Sequence, residues 1–324
     1  MGGRLAASLT VMRSLRRPAA CPSSPTRLGV LLVCAVLLAG CARGDEGDGT
    51  SPVVVGYGST TEQRVLAALA VVALERAGLE AEVSPDLGDT RRLRREALRG
   101  DIDVFWDYTG AAWALGLGQQ APPADPEESY QRVREADRDQ GLVWLDPTAA
   151  NATLALFVRE SDLPADSAAT LTWLSSRLSA GDAALCADPD FISRPGGLEA
   201  LAVAYSISLE QLEARAAAEP EAIAGVAAER CLAGLATATS GAARNAGLAP
   251  LADDLGVFPA FIVAPVVREE ALSEQPRIRQ ALEDVSAMLD TTALAELNAR
   301  VEAGTDPGGL AEGILPAEAA ATGS

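Results

Sequence analysis

Histidine and lysine are both missing from this sequence, so every basic side chain is an arginine. Without histidine there is no usual general base, no commonest metal ligand and no serine–histidine triad. Without lysine there is no Schiff-base chemistry. No nucleophile-elbow pattern compensates, and the acid run 45–48 lacks metal-ligand spacing. An enzyme, a metal site and a bound cofactor are therefore not expected. Aromatics are scarce, at 4%. No apolar run reaches the roughly 20 residues a membrane-spanning helix needs.

The main apolar run, 28–40, stops at Cys41 after the small pair Ala39-Gly40, and Arg13, Arg16, Arg17 and Arg27 precede it. A basic region, a short apolar segment and small residues before a cysteine spell a lipoprotein leader over 1–40, with Cys41 as the lipidation site. The glycine-rich, acidic stretch 41–50 reads as a flexible tether. The protein is thus expected outside the cytoplasmic membrane, held to it by lipid.

Removing the leader takes away five arginines and no acid, which leaves 21 arginines against 45 acids, a net charge of −24. A phosphate backbone would find no basic patch there, so nucleic acid is not an expected partner. Of five cysteines, only Cys186 and Cys231 remain once Cys21 and Cys34 leave and Cys41 takes lipid. Outside the cytoplasm such a pair either forms a disulfide or stays as two small buried thiols.

From Ser51 the pattern alternates. Strand 52–56 precedes helix 61–77, whose apolar face carries Val65, Leu66, Leu69, Val72 and Ala73, and Ser59 with Glu62 has capping-box spacing. Strand 79–83, helix 90–99 (Leu93, Ala97 and Leu98 inward) and strand 102–106 follow. This order predicts a parallel sheet with crossover helices. Ligands of such sheets bind beyond the strands' carboxyl ends, which here means loops 56–61 and 107–110. An extended crossing leads through 143–153 into 154–158. A middle section has helix 171–178, strand 183–186, loop 188–197, alanine-rich helices over 198–236 and a strand over 232–239. A second crossing, 257–267, carries two prolines that mark an edge or a hinge. Helices 276–289 and 292–301 close the chain. Two crossings around a middle α/β section predict two hinged lobes: 51–151 and 257–315 in lobe I, 152–256 in lobe II, and a frayed tail at 316–324.

Several pieces, in order, carry a resemblance. They are Val55-Gly56, Ser59 with Thr61-Glu62-Gln63, Leu87-Gly88-Asp89-Thr90, Asp107-Tyr108-Thr109-Gly110, 141–147, Phe258-Pro259, 264–269, and Leu289-Asp-Thr with Glu296-Leu-Asn298. The chain resembles the extracytoplasmic substrate-binding proteins of osmoprotectant ABC importers, the glycine betaine, carnitine and choline binders. The resemblance implies an α/β, two-lobed type II periplasmic-binding-protein fold with two hinge crossings and a cleft. It implies a monomer that captures a small ligand and hands it to a permease. It also implies a cage of tyrosines around a quaternary ammonium, held by cation–π attraction. Tyr108 matches a cage tyrosine. Two further cage positions read Leu154 and Ala246, so the rings are either refilled by Trp106, Trp113, Phe157 or Tyr57 or the ligand differs. A surface receptor or sensor with a diverged site is the alternative.

The expected ligand contacts are Tyr108, Thr60, Gln63, Asp107, Thr109, Asn151, Thr153, Arg194 and Tyr205. Each has a plainer reading. Tyr108 could pack between helix and sheet, and Asp107 could cap the next helix. Thr60 and Gln63 either face the cleft or merely start a helix. Asn151 and Thr153 could hold the hinge backbone. Arg194 either clamps a carboxylate bidentately or pairs with a neighbouring acid.

Overall fold

The computed structural model describes residues 51–316 except 120, 121, 124, 164, 166, 167 and 180–183. The leader, Cys41, the tether and the tail from 317 lie outside the described residues. Among the described residues no helix is long and apolar enough to cross a membrane.

Among the described residues, ten strands form two five-stranded sheets. They are β1 (Val53–Gly56), β2 (Ala81–Val83), β3 (Val104–Tyr108), β4 (Leu142–Trp144), β5 (Leu154–Arg159), β6 (Ala184–Ala187), β7 (Glu213–Ala216), β8 (Ala233–Thr237), β9 (Leu248–Pro250) and β10 (Val263–Arg268). The lobe I sheet runs β2-β1-β3-β10-β4 and the lobe II sheet runs β7-β6-β8-β5-β9. The two orders are the same pattern. Three parallel strands are followed by a fourth that runs antiparallel to its neighbours on both sides, so the fifth runs in the direction of the first three. Neither sheet is wholly parallel, which corrects the sequence expectation. The reason lies in the connections: each antiparallel fourth strand is the first one the chain makes after crossing between lobes. β5 enters the lobe II sheet beside β8, and β10 returns to the lobe I sheet beside β3. Both crossings therefore run past the carboxyl ends of the central strands β3 and β8.

Local signals explain most elements. The helix Thr61–Arg76 is capped by Thr60, whose hydroxyl accepts from the Gln63 amide. Ser59, the expected cap, instead donates to Asp86 at 3.0 Å, so the register is one residue later and Glu62 is freed from capping. The helix Thr90–Arg99 is capped by Asp89 and ends at Gly100, whose φ of +83° suits glycine. On that helix Leu98 is 48% exposed. The inward position is taken by Arg94, because the helix meets buried acids rather than only apolar side chains.

β3 is buried on both faces, with Val104, Phe105, Trp106 and Asp107 all inaccessible, as is Ile102 just before it. Strands covered by helices on both sides need no polar face. The stretch 198–236 is not continuous helix: helices Leu198–Ala204 and Glu219–Ala227 flank β7. A short helix, Pro189–Ser193, interrupts the expected 188–197 loop, and Pro307–Ile314 adds a last helix. Pro265 lies inside β10 opposite Trp106, between two neighbouring strands rather than at an edge. Pro259 does lie in the crossing.

Candidate functional site

Tyr108 ends β3. Its ring packs with Phe261 against the apolar cluster that holds Val65, Leu66 and Trp106. Its hydroxyl donates to Glu62 Oε1 at 2.7 Å and accepts from Gln63 Nε2 at 3.1 Å. Gln63 Nε2 also donates to the Trp106 carbonyl at 3.2 Å. Glu62 and Gln63, the second and third residues after the helix cap, thus meet the end of β3 because the helix starts over the strand's carboxyl end.

Asn298, from the helix Thr291–Glu302, joins the group. Its Nδ2 donates to Glu62 Oε2 and to the Thr239 carbonyl, each at 2.9 Å. Thr239 follows β8, so it belongs to lobe II, while the other four residues belong to lobe I. The Thr239 hydroxyl also supports the Glu62 carboxylate. Carboxyl ends of β3 and β8 therefore face each other through Glu62, Asn298 and Thr239.

The electrostatics are uneven. Burial raises the Glu62 carboxyl above its ordinary value; hydrogen bonds from Thr239, Tyr108 and Asn298 pull the other way, and the like charge of Glu219 adds to the rise. No arginine is within ion-pair distance of Glu62 among the described residues. Burial, then the neighbouring Glu62 charge, holds the Tyr108 phenol well above the usual range. Two buried oxygens, Gln63 Oε1 and Asn298 Oδ1, have no hydrogen-bond partner.

Asp107 is fully buried and contributes from behind. Its Oδ1 accepts from the Tyr108 amide at 2.8 Å and its Oδ2 pairs with Arg94 Nη1 at 2.9 Å. Arg94 also pairs with the buried Asp137, which accepts from Trp144 Nε1 at 2.6 Å. Burial pushes the Asp107 carboxyl up to about 6 against the pull of Arg94. One arginine between two buried acids fixes the backbone that carries Tyr108.

Neighbouring segments close the lobes together. Asn151 Oδ1 accepts from the Phe261 amide at 2.8 Å, Thr153 Oγ1 donates to the Pro259 carbonyl at 2.6 Å, and Thr109 Oγ1 accepts from the Ile262 amide at 3.1 Å. Asn151 and Thr153 thus tie one crossing to the other, and Thr109 ties β3's end to the second. On the seam, the short helix Gly241–Asn245 of lobe II packs on Thr291–Glu302. Asn245 Nδ2 donates to the Ala299 carbonyl at 3.0 Å and Arg244 pairs with Glu296.

The structure brings Tyr108 and Gln63 together and puts Asp107 directly behind them. It gives the others different work. Thr60 is an exposed helix cap. Arg194 is exposed and 3.8 Å from Asp190. Tyr205 is buried in the lobe II core, where its hydroxyl donates to Asp253 and accepts from the Leu255 amide at 2.9 Å. Trp106, Trp113 and Phe157 are core residues and Tyr57 packs against another core cluster, while Phe261 packs on the same cluster as Tyr108. Glu62, Asn298 and Thr239 were not expected in the site. Glu62 and Asn298 stand in motifs that the sequence displays and Thr239 ends the expected strand 232–239, but Glu62 was assigned to capping, and no local pattern reveals that segments 236 residues apart converge. Cys186 and Cys231 lie together as a disulfide with Cα atoms 5.9 Å apart.

Residues 51–316 match the family model described as the substrate binding domain of ABC-type glycine betaine transport system. The chain is 32% identical to the glycine betaine-binding protein YehZ of Escherichia coli, over 78% of this chain and 85% of the relative. It is 30% identical to the glycine-betaine-binding protein of Pseudomonas aeruginosa, over 76% of this chain and 81% of the relative. The apo structure of the E. coli protein superimposes with a TM-score of 0.74, covering 82% of this chain and 97% of that one.

Proposed function

The chain belongs to the substrate-binding domains of ABC-type glycine betaine transport systems, and on that premise we propose that it is the lipid-anchored receptor of an importer. It captures a small quaternary-ammonium osmolyte between its lobes and delivers it unchanged to a permease. The observation that supports this most directly is the bridge from Glu62 through Asn298 to Thr239, which joins lobe I to lobe II at the carboxyl ends of both central strands. Ligands of open α/β sheets bind in that place, and a contact that spans both lobes couples ligand to closure.

Tyr108 and Phe261 offer ring faces to the ammonium. Gln63 and Asn298 offer buried amide oxygens, Asp107 positions Tyr108, and Asn151, Thr153 and Thr109 hold the hinge crossings. Cys41, once lipidated, ties the receptor to the membrane near its permease.

Thermal unfolding with glycine betaine, choline, carnitine and ectoine tests the reading. A ligand at a hundredfold excess over its dissociation constant adds about 2.7 kcal/mol of stability, so at least one quaternary ammonium in the panel raises the melting temperature. A flat response to every member counts against transport and favours a receptor with a diverged site.

A further inference from the structure

The second crossing leaves lobe II through residues 255–260, which belong to neither sheet. On its lobe II side the chain is well held. The Leu171 amide donates to the Ala252 carbonyl and the Ala252 amide to the Ala169 carbonyl, each at 2.9 Å, and Asp254 Oδ1 accepts from the Thr172 amide at 3.1 Å. On its lobe I side, Phe261 and Ile262 are held by Asn151 and Thr109. Between these ends two side chains of lobe II replace the missing ladder. The Tyr205 hydroxyl accepts from the Leu255 amide at 2.9 Å and donates to Asp253, and Asp253 Oδ2 accepts from the Phe258 amide at 2.7 Å. Each carboxylate oxygen of Asp253 thus has one donor, and the acid links Tyr205 to the crossing.

The packing divides the crossing at the same place. Val257 and Phe258 pack on the lobe II core cluster that contains Phe191, Leu201 and the buried Tyr205, with the Phe258 and Phe191 ring centroids 6.1 Å apart. The next carbonyls turn to other partners: that of Pro259 accepts from Thr153 in the first crossing, and that of Ala260 from Thr109 Oγ1 at 3.3 Å. The part fixed to lobe II therefore ends at Phe258, and the part fixed to lobe I begins at Ala260. The bend between the lobes is left to the backbone around Pro259, whose ring already restricts φ.

Resting on the proposed capture by lobe closure, we infer that Tyr205 is a positioning residue of the hinge: through Asp253 it clamps the second crossing to lobe II as far as Phe258, and ligand affinity depends on that clamp without a ligand contact. A phenylalanine would fill the same core, so the hydroxyl is the part with hinge work to do. Without it the segment 255–258 gains backbone freedom in the open protein, and closure has to order that segment again. The closed, binding-competent fraction then falls, and apparent affinity falls with it.

Calorimetric titration with glycine betaine and choline at neutral pH is the test, on the wild type and on Tyr205→Phe, which keeps the ring and loses the clamp. Whichever probe the wild type binds should bind Tyr205→Phe about tenfold more weakly, a 1.4 kcal/mol difference. Ile223→Val, which trims a separate core cluster of lobe II, is the control for a merely structural loss and should keep wild-type affinity. Asp253→Ala should weaken binding as well, and combining it with Tyr205→Phe should add nothing, because the two residues act through one clamp. Small-angle scattering without ligand should give Tyr205→Phe a larger radius of gyration than the wild type and Ile223→Val. Unchanged affinity in Tyr205→Phe, an equal loss in Ile223→Val, or additive losses in the double variant overturn the inference and leave the transport role intact. Binding of neither probe by the wild type counts against the transport role instead, and the scattering then decides the hinge: equal radii for wild type and Tyr205→Phe overturn it.

Discussion

Tyr108 gives its hydroxyl proton to Glu62 Oε1 across 2.7 Å, which makes ring and carboxylate a single unit. The ring supplies a π face, and the acid orients it and adds charge. Replacing Tyr108 by alanine removes both, and the affinity for a quaternary ammonium should fall about 30-fold, the equivalent of about 2 kcal/mol for one desolvated cation–π contact. Tyr108→Phe should lose much less, since the ring remains. Calorimetry on both variants checks this, and an unaltered affinity in Tyr108→Ala would remove the residue from the site.

A pH dependence follows from Glu62. Burial holds its carboxyl above the ordinary 4.5, and a cation competes with the proton for the same oxygens. Cation affinity is therefore full above the raised value and declines as pH drops through it. The ligand-free protein behaves oppositely: an acid whose folded pKa is raised favours the protonated form, so this group's stabilising contribution is lost as pH rises through that value. Glu219 and Glu302 lie near the same seam, with the Arg244–Glu296 pair beside them, so the control is Glu62→Gln. Its affinity should be nearly flat over the interval in which wild-type affinity changes.

Arg94 between Asp107 and Asp137 carries the largest single stability prediction. Arg94→Met leaves two buried acids without a cation and should cost about 3–5 kcal/mol, read as a lower denaturant midpoint. Asp107 titrates at about 6 rather than 3.8. The native state thus holds more protons than the unfolded chain in that window, and wild-type stability should decline between those two values as pH rises. Asp107→Asn should flatten this slope; an Asp107→Asn protein that keeps the slope would refute the assignment.

Cys186 and Cys231 close a loop of sequence separation 45. By loop-closure entropy such a bond is worth about 4 kcal/mol. Cys231→Ser, or reduction of the wild type, should lower the unfolding midpoint accordingly, and mass spectrometry should find no free thiol in the oxidised mature domain.

Chain order and apolar spacing made the two-lobed plan legible, because hinge crossings and helix–strand alternation are local patterns. They also placed Tyr108 at the end of β3. What they could not supply was strand direction after each crossing or the identity of residues meeting across the seam. Asn298 shows why. On its own helix it is a polar residue among Leu294, Ala295 and Leu297, and only the return of the chain past β8 gives it Thr239 and Glu62 as partners. Glu62 shows a second reason. Capping at Thr60 instead of Ser59, a shift of one position, turned an expected helix cap partner into the charged centre of the site.

Gly241 tests whether lobe closure controls binding. A Cβ built there would come within 2.5 Å of the Ala299 nitrogen and 2.6 Å of the Asn298 carbonyl carbon. Both are backbone atoms of the facing lobe and have little freedom to yield. Gly241 begins its short helix after the Ser240 cap, where alanine is acceptable by itself, so each lobe should fold normally in Gly241→Ala. The substitution should act as a wedge that holds the seam open, separates Thr239 from Asn298 and weakens ligand binding by about tenfold or more, since affinity falls with the fraction of closed molecules. Small-angle scattering should report a larger radius of gyration for Gly241→Ala than for the wild type at saturating ligand. Equal radii with equal affinity would mean that closure across this seam does not govern capture.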